Sequence, residues 1–156
     1  MAVRSKFNFD RVRKNMAQTQ KLMGLLANDS KNYFVEAFAK QSWDGKAWKQ
    51  VERKIVGTKA FKYPSKPKSS AHTRPILIGT GKLRRAVSNA VKNGTVGIKR
   101  LVLIVADVPY ASVHNDGLKM RSGGNMPQRR FMGDTKKLRE IQIERIKKFT
   151  SAAWRA

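Results

Sequence analysis

His114, Asn115 and Asp116 stand side by side in this chain, flanked at a distance by Asp107 and Asp134. Hard divalent metals take clustered carboxylate oxygens, so this set admits a metal-dependent nuclease. The same residues also serve as caps in short helices, and we take that structural reading of His114. The second histidine, His72, has no acid near it in sequence. Gly79-Thr80-Gly81-Lys82 looks like a phosphate loop, but the full Gly-x-x-x-x-Gly-Lys-Ser/Thr spacing is missing. Leu83 occupies the hydroxyl position. Gly79 and Gly81 are left with the shaping of a strand-to-helix turn. No Gly-x-Ser-x-Gly elbow is present, and no zinc-finger spacing, RNA-recognition signature or helix-turn-helix is found. The expectation is a protein without catalytic residues, metal or cofactor.

Charge offers a better lead. Thirty-four Lys and Arg oppose ten Asp and Glu, a net +24. Solubility alone needs only about 2 to 8 charges on a small domain, so the surplus points to polyanionic partners: nucleic acid first, then acidic protein surfaces, then anionic lipid. Two segments concentrate it. Residues 46–74 carry Lys46, Lys49, Arg53, Lys54, Lys59, Lys62, Lys66, Lys68 and Arg74 against one acid, Glu52. Residues 119–130 carry Lys119, Arg121, Arg129 and Arg130. Both are candidate contact loops for assembly partners or a polyanion. Trp48, Phe61 and Tyr63 interleave with the first set. They either stack on bases and anchor in a protein pocket, or belong to the core.

These loops need a scaffold. With 40% hydrophobic residues in 156, the chain can bury a core and fits one domain. It has no cysteine, which excludes disulfides and thiolate metal sites and suits a reducing compartment. The first ten residues have no apolar signal core, and the longest apolar run, residues 101–106, is far short of the roughly 20 that a membrane span needs. No membrane partner is expected.

Residues 9–41 predict a long helix, since Phe9, Val12, Met16, Met23, Leu26, Phe34 and Phe38 recur at helical steps. Asn8 is its candidate cap, and Gly24 and Asn28-Asp29-Ser30 are weak points near which a break could fall. Asp44-Gly45 predicts a turn. Pro64 and Pro67 with Ser65, Ser69 and Ser70 argue against regular structure in the centre of residues 46–74. Thr80 caps a short helix burying Leu83 and Val87, which either runs to Val91 or gives way to strand at Val87. Residues 100–107 predict a strand buried on both faces. Asp107 opens a further short helix that Gly117 stops, and residues 126–132 are extended. Asp134 caps a final helix to about Trp154, with Leu138, Ile141, Arg145, Ile146 and Phe149 on one face. The fold class is α+β: a long N-terminal helix (1–42), a basic arm (43–75), a core with a small, mostly antiparallel sheet and short helices (76–133), and a C-terminal helix (134–156).

Four segments, in order, resemble the Mu-type virion morphogenesis and tail-completion family of tailed phages. Trp43-Asp44-Gly45-Lys46-Ala47-Trp48 is similar to the family's Asp-Gly-x-x-Trp. Thr80-Gly81-Lys82-Leu83-Arg84 is similar to its Thr-Gly-x-Leu-Arg. Pro109-Tyr110-Ala111-Ser112-Val113-His114-Asn115-Asp116-Gly117 is similar to its Pro-Tyr-Ala-x-x-His-x-x-Gly. Pro127-Gln128-Arg129-Arg130-Phe131-Met132-Gly133 is similar to its Pro-x-Arg-x-Phe-Leu-Gly, with Arg130 where a proline is expected and Met132 for leucine. The match covers about two thirds of the chain. It implies a non-catalytic virion protein, assembled in the host cytoplasm. Its subunits form a homo-oligomeric ring at the neck or tail, joining head to tail or completing the tail. Portal, adaptor or tail-tube proteins are the implied neighbours, with packaged DNA in the lumen. Gly81, Leu83, Pro109, Tyr110, Gly117, Pro127 and Phe131 are then fold-defining. The rivals are a basic nucleic-acid-binding or DNA-packaging protein and a ribosomal-type RNA-binding protein.

Overall fold

Helix α1 (Phe9–Lys40) runs 32 residues without interruption and packs against the helices at residues 82–88 and 136–155 and the strand that follows it. The structure is a computed structural model that describes residues 9–64, 68–89, 108–120 and 123–155. The strand expected at residues 100–107 lies outside them, as do Asn8, Lys66, Val91, Asp107 and Arg121.

One face of α1 buries Ala27, Ser30, Phe34, Ala37 and Phe38. The weak point at Asn28-Asp29-Ser30 does not interrupt the helix, and the side chains of Asp29 and Ser30 are used in packing. The Ser30 hydroxyl donates back to the Leu26 carbonyl at 2.9 Å and accepts from Gln142 Nε2 at 3.0 Å. Asp29 accepts from both Nε and Nη2 of Arg145, each at 2.8 Å. This fork-to-carboxylate pair holds α6 (Lys136–Arg155), the C-terminal helix, against α1.

At the end of α1 the chain turns into a hairpin. Strands β1 (Ser42–Trp43) and β2 (Lys46–Ala47) pair antiparallel, Ser42 opposite Ala47 and Trp43 opposite Lys46. Asp44 and Gly45 have φ of +49° and +80°. Positive φ at both central positions is the demand of a tight two-residue hairpin turn, which Asp-Gly meets at low cost. Together with the helices, this two-stranded antiparallel sheet gives the α+β class.

The hairpin delivers Trp48 into the core. Its ring meets Phe38 edge-on at 5.8 Å, and its indole N–H donates to the Arg130 carbonyl at 2.7 Å. Phe131 lies 5.2 Å from Phe38 on the other side. Ile76, Val87, Val108 and Ala111 are also fully buried.

Residues 46–74 carry short helical elements on either side of their Pro/Ser-rich centre, of which residues 65–67 lie outside the described residues. A 3₁₀ turn (Glu52–Lys54), α2 (Lys59–Lys62) and α3 (Lys68–Thr73) form a small basic lobe. Thr58, not singled out from sequence, caps α2 by accepting from the Phe61 N–H at 3.2 Å. Phe61 stacks flat on His72, centroids 4.2 Å apart. Arg53 closes the lobe by donating to the carbonyls of Ala71 and Arg74 at 2.8 and 3.2 Å.

Three helix starts differ from expectation by a residue or more. Helix α4 (Lys82–Ser88) starts from Gly81, whose φ of +74° suits glycine, while the Thr80 hydroxyl accepts from Lys82 N–H only at 3.4 Å. It ends before Val91, and buries Leu83 and Val87 as expected. Helix α5 (Ala111–Asp116) has Tyr110 in its cap position, and Gly117 stops it at φ +72°. Helix α6 is capped by Thr135, whose hydroxyl accepts from Leu138 N–H at 3.1 Å. Asp134 is diverted to an ion pair with Arg139.

Residues 126–132 follow α5 without regular structure and are tied to it by one side chain. Asn115 Oδ1 accepts from the N–H groups of Phe131 and Met132, both at 3.1 Å. Arg129 N–H donates to the His114 carbonyl at 2.7 Å. An unsatisfied buried donor costs about 1–3 kcal/mol. Asn115→Ala is therefore expected to lower stability by about 2 kcal/mol, read as an earlier urea midpoint. Asn115→Asp keeps the acceptor and is expected to lose less. Equal loss in the two variants would show that the paired acceptor is not what holds this segment.

Candidate functional site

The basic lobe and α5 face each other across a cleft of about 430 Å³. Residues 74–83 run along it, ending in the turn that starts α4. Val51, Ile76 and Ile78 give it apolar walls, and Arg53, Arg74, Lys82 and Arg129 contribute cationic side chains. Tyr110 and His114 line the α5 side, their rings edge-to-face at 6.0 Å.

The arginines are positioned by carbonyl oxygens rather than carboxylates. Arg129 is 5% exposed and donates from Nε to the Lys49 carbonyl at 3.0 Å. Burial lowers its pKa. Arg53 is lowered chiefly by burial, then by the like charges of Arg74 and Arg129. The pKa of His114 is lowered by burial and then by Arg129, which favours the neutral imidazole, and its buried Nδ1 has no hydrogen-bond partner among the described residues. Among the described residues no three His, Asp or Glu side chains cluster as metal ligands.

The remaining candidates separate into three groups. Lys46, Lys49, Lys59, Lys62, Lys119 and Arg130 are exposed, and Lys54 and Arg74 are half-buried. Arg53 and Arg129 are structural as well as cationic, since each ties distant backbone together. Lys66, Arg121 and the side chain of Lys68 lie outside the described residues.

The three aromatics have three different fates. Trp48 is a core residue, and Phe61 is half-buried on His72. Tyr63 is 77% exposed and shares the lobe surface with Val56 at 80% and Ile55 at 42%. The lobe thus presents apolar side chains alongside the exposed Lys59 and Lys62. Of the fold-defining set, Leu83 and Phe131 are buried, Pro127 is half-buried, and Pro109 and Tyr110 are exposed. Gly117 is required twice over: its φ is +72°, and an added Cβ would sit 3.1 Å from Gln128 backbone atoms.

Sequence reasoning did not bring His114, Tyr110 and residues 74–82 into one cleft. Two separated motifs, Gly79-Thr80-Gly81-Lys82 and the segment that carries Tyr110 and His114, both line it. Their cationic and aromatic content was the available signal.

A family model described as the phage virion morphogenesis family matches residues 4–149. No curated protein and no solved structure matches the chain.

The neutral imidazole of His114 has a pH consequence. Its folded pKa lies below the ordinary 6.5, so on acidification the unfolded chain takes the proton first. The stability this contributes is complete above the ordinary value and is lost as pH falls through the folded value. Wild type is expected to lose stability to urea between about pH 7 and pH 5 more steeply than His114→Gln. Parallel curves for the two proteins would refute this.

Proposed function

The chain belongs to the phage virion morphogenesis family, and from that premise we propose that it is a ring-forming subunit of the neck or upper tail of a tailed phage. A virion-associated structural role follows from the family itself. The finer reading is ours: identical subunits close into an annulus that joins head to tail or completes the tail, acting by docking without catalysis. Portal, adaptor or tail-tube proteins are its neighbours, and packaged DNA passes through its lumen.

The family match over residues 4–149 carries this reading. Two surface features support it. The lobe exposes Ile55, Val56 and Tyr63, side chains that gain from burial against a neighbour. Ile143 and Ile146 are likewise exposed on α6, at 49% and 38%. Closed rings are built from such heterologous contacts, in which one patch meets a different patch on the next copy. The net charge of +24 suits a subunit set beside DNA or acidic proteins.

The same charge favours a second reading, a basic protein that associates with DNA on its own. It predicts salt-sensitive DNA binding by a monomer or dimer, without an annulus.

Negative-stain microscopy of the purified protein is expected to show rings. Val56→Ser with Tyr63→Ser changes only exposed side chains and is expected to leave the subunit folded, while heads and tails accumulate unjoined in a complementation assay. Joined particles at wild-type yield would remove the lobe from the interface. A monomeric wild-type protein that binds DNA with a steep salt dependence would favour the second reading.

A further inference from the structure

We propose that the cleft between the basic lobe and α5 binds a short, extended acidic peptide segment of a different protein, with a carboxylate between the arginines and apolar neighbours against Ile76 and Ile78. The inference concerns the isolated subunit and does not depend on ring closure.

Among the described residues lining the cleft there are four cationic side chains, Arg53, Arg74, Lys82 and Arg129, and no acidic one. Among the described residues the ion pairs are Lys40 with Glu36, Arg139 with Asp134, and Arg145 with Asp29. None of these lies among the residues lining the cleft. Arg53 and Arg129 use Nε for carbonyl oxygens. Arg53 Nη1 and Arg129 Nη2 keep no hydrogen-bond partner among the described residues, and Arg129 is itself 95% buried, being 5% exposed. Guanidinium groups held in place before binding lose little freedom when they grip a carboxylate, and the fork geometry matches its two oxygens.

Shape selects the ligand class. Both carboxylate and phosphate would satisfy the arginines, but the walls are apolar and the site is concave. At about 430 Å³ it has the capacity of a small-ligand pocket. A few residues of extended chain fit such a space, whereas a DNA duplex presents its phosphates on a convex rod.

Charge selects the source. This chain has ten acids, and the two nearest in sequence, Glu140 and Glu144, sit on one helix. Asp29, Glu36 and Asp134 are already paired. No two acids stand closer than four residues in this chain, so a second copy offers no segment with closely alternating carboxylates, and the partner is a different protein.

The probe is a short fluorescent peptide in which glutamate alternates with leucine, titrated into the full-length protein and followed by anisotropy. Saturable binding is expected, with little binding of the glutamine-for-glutamate peptide. Arg74→Ala and Lys82→Ala, both side chains at least partly exposed, are each expected to weaken it about tenfold, the scale of one charge-assisted contact. A control that removes charge elsewhere, Lys147→Ala with Lys148→Ala on α6, is expected to leave affinity unchanged. The proposal is overturned if the control weakens binding as much as the cleft variants, if the glutamine peptide binds equally, or if a short DNA oligonucleotide displaces the peptide in wild type and no longer binds Arg74→Ala. All readouts use the purified protein, so their failure leaves the ring reading standing, and failure of ring assembly leaves this one standing.

Discussion

The indole of Trp48 is the joint on which the rest of the molecule depends. It sits between α1 and the irregular segment after α5, packing edge-on against Phe38 and donating to the Arg130 carbonyl at 2.7 Å. Aromatic pairs contribute about 0.5–1.5 kcal/mol beyond their burial, and a buried indole N–H left without an acceptor costs about 1–3 kcal/mol. The joint is therefore directional as well as apolar. It fixes the register of Arg129, Arg130 and Phe131, so that Phe131 enters the core, Arg130 faces solvent and Arg129 turns toward the cleft. A one-residue slip there would bury Arg130 and expel Phe131. The tight turn at Asp44-Gly45 matters for the same reason, because it sets where Trp48 arrives.

Carbonyl oxygens are the counterpart of this arrangement. With thirty-four bases and ten acids, most cations have no carboxylate to meet. Where an arginine must be built into the fold, backbone oxygens receive it: Ala71 and Arg74 for Arg53, Lys49 for Arg129. A carbonyl satisfies the N–H groups but carries no net charge. The hydrogen-bonding demand of burial is met while the positive field survives. Like-charge repulsion among Arg53, Arg74 and Arg129 is the cost of that solution. Two forks to carboxylates form among the described residues, Arg139 on Asp134 at the exposed start of α6 and Arg145 on Asp29 at the seam of α1 and α6, where a neutral outcome helps packing.

Much of the fold is legible in the residue pattern, and the misses share a cause. Periodic apolar positions locate α1, α4 and α6 closely, since burial of a helical stripe dominates the energetics of those elements. Leu83, Val87 and Phe131 are core residues that pattern and motif both indicate. Errors arise where a polar side chain has two uses that sequence cannot separate. Asp29 and Ser30 read as helix breakers but dock α6. Asp134 reads as a cap but pairs with Arg139, leaving Thr135 to cap. Residues 46–74 read as an irregular loop because their order comes from long-range bonds of Arg53 and the stacking of Phe61 on His72. The division of the aromatics follows the same logic: only tertiary placement distinguishes Trp48 in the core from Tyr63 on the surface. Cleft membership was the least legible feature, since it joins segments some thirty residues apart in sequence.

Charge and assembly constrain one another in a subunit of this kind. Bringing together copies that each carry +24 meets a repulsion that the exposed Val56, Tyr63, Ile143 and Ile146 must outweigh. Apolar burial contributes roughly 25 cal/mol per Å², and each of these side chains is small against a field that grows with every copy added. Screening helps only beyond about 8 Å at physiological ionic strength, which leaves close-packed neighbours exposed to one another. An assembly of such subunits is therefore stabilised most by whatever supplies negative charge near its cationic surface. A carboxylate-bearing partner seated in the cleft would do this from the protein side, and DNA within an annulus would do it from the lumen. In either case the partner's negative charge would strengthen self-association, which is a physical basis for ordering assembly: subunits would close most readily where their counter-charge already is.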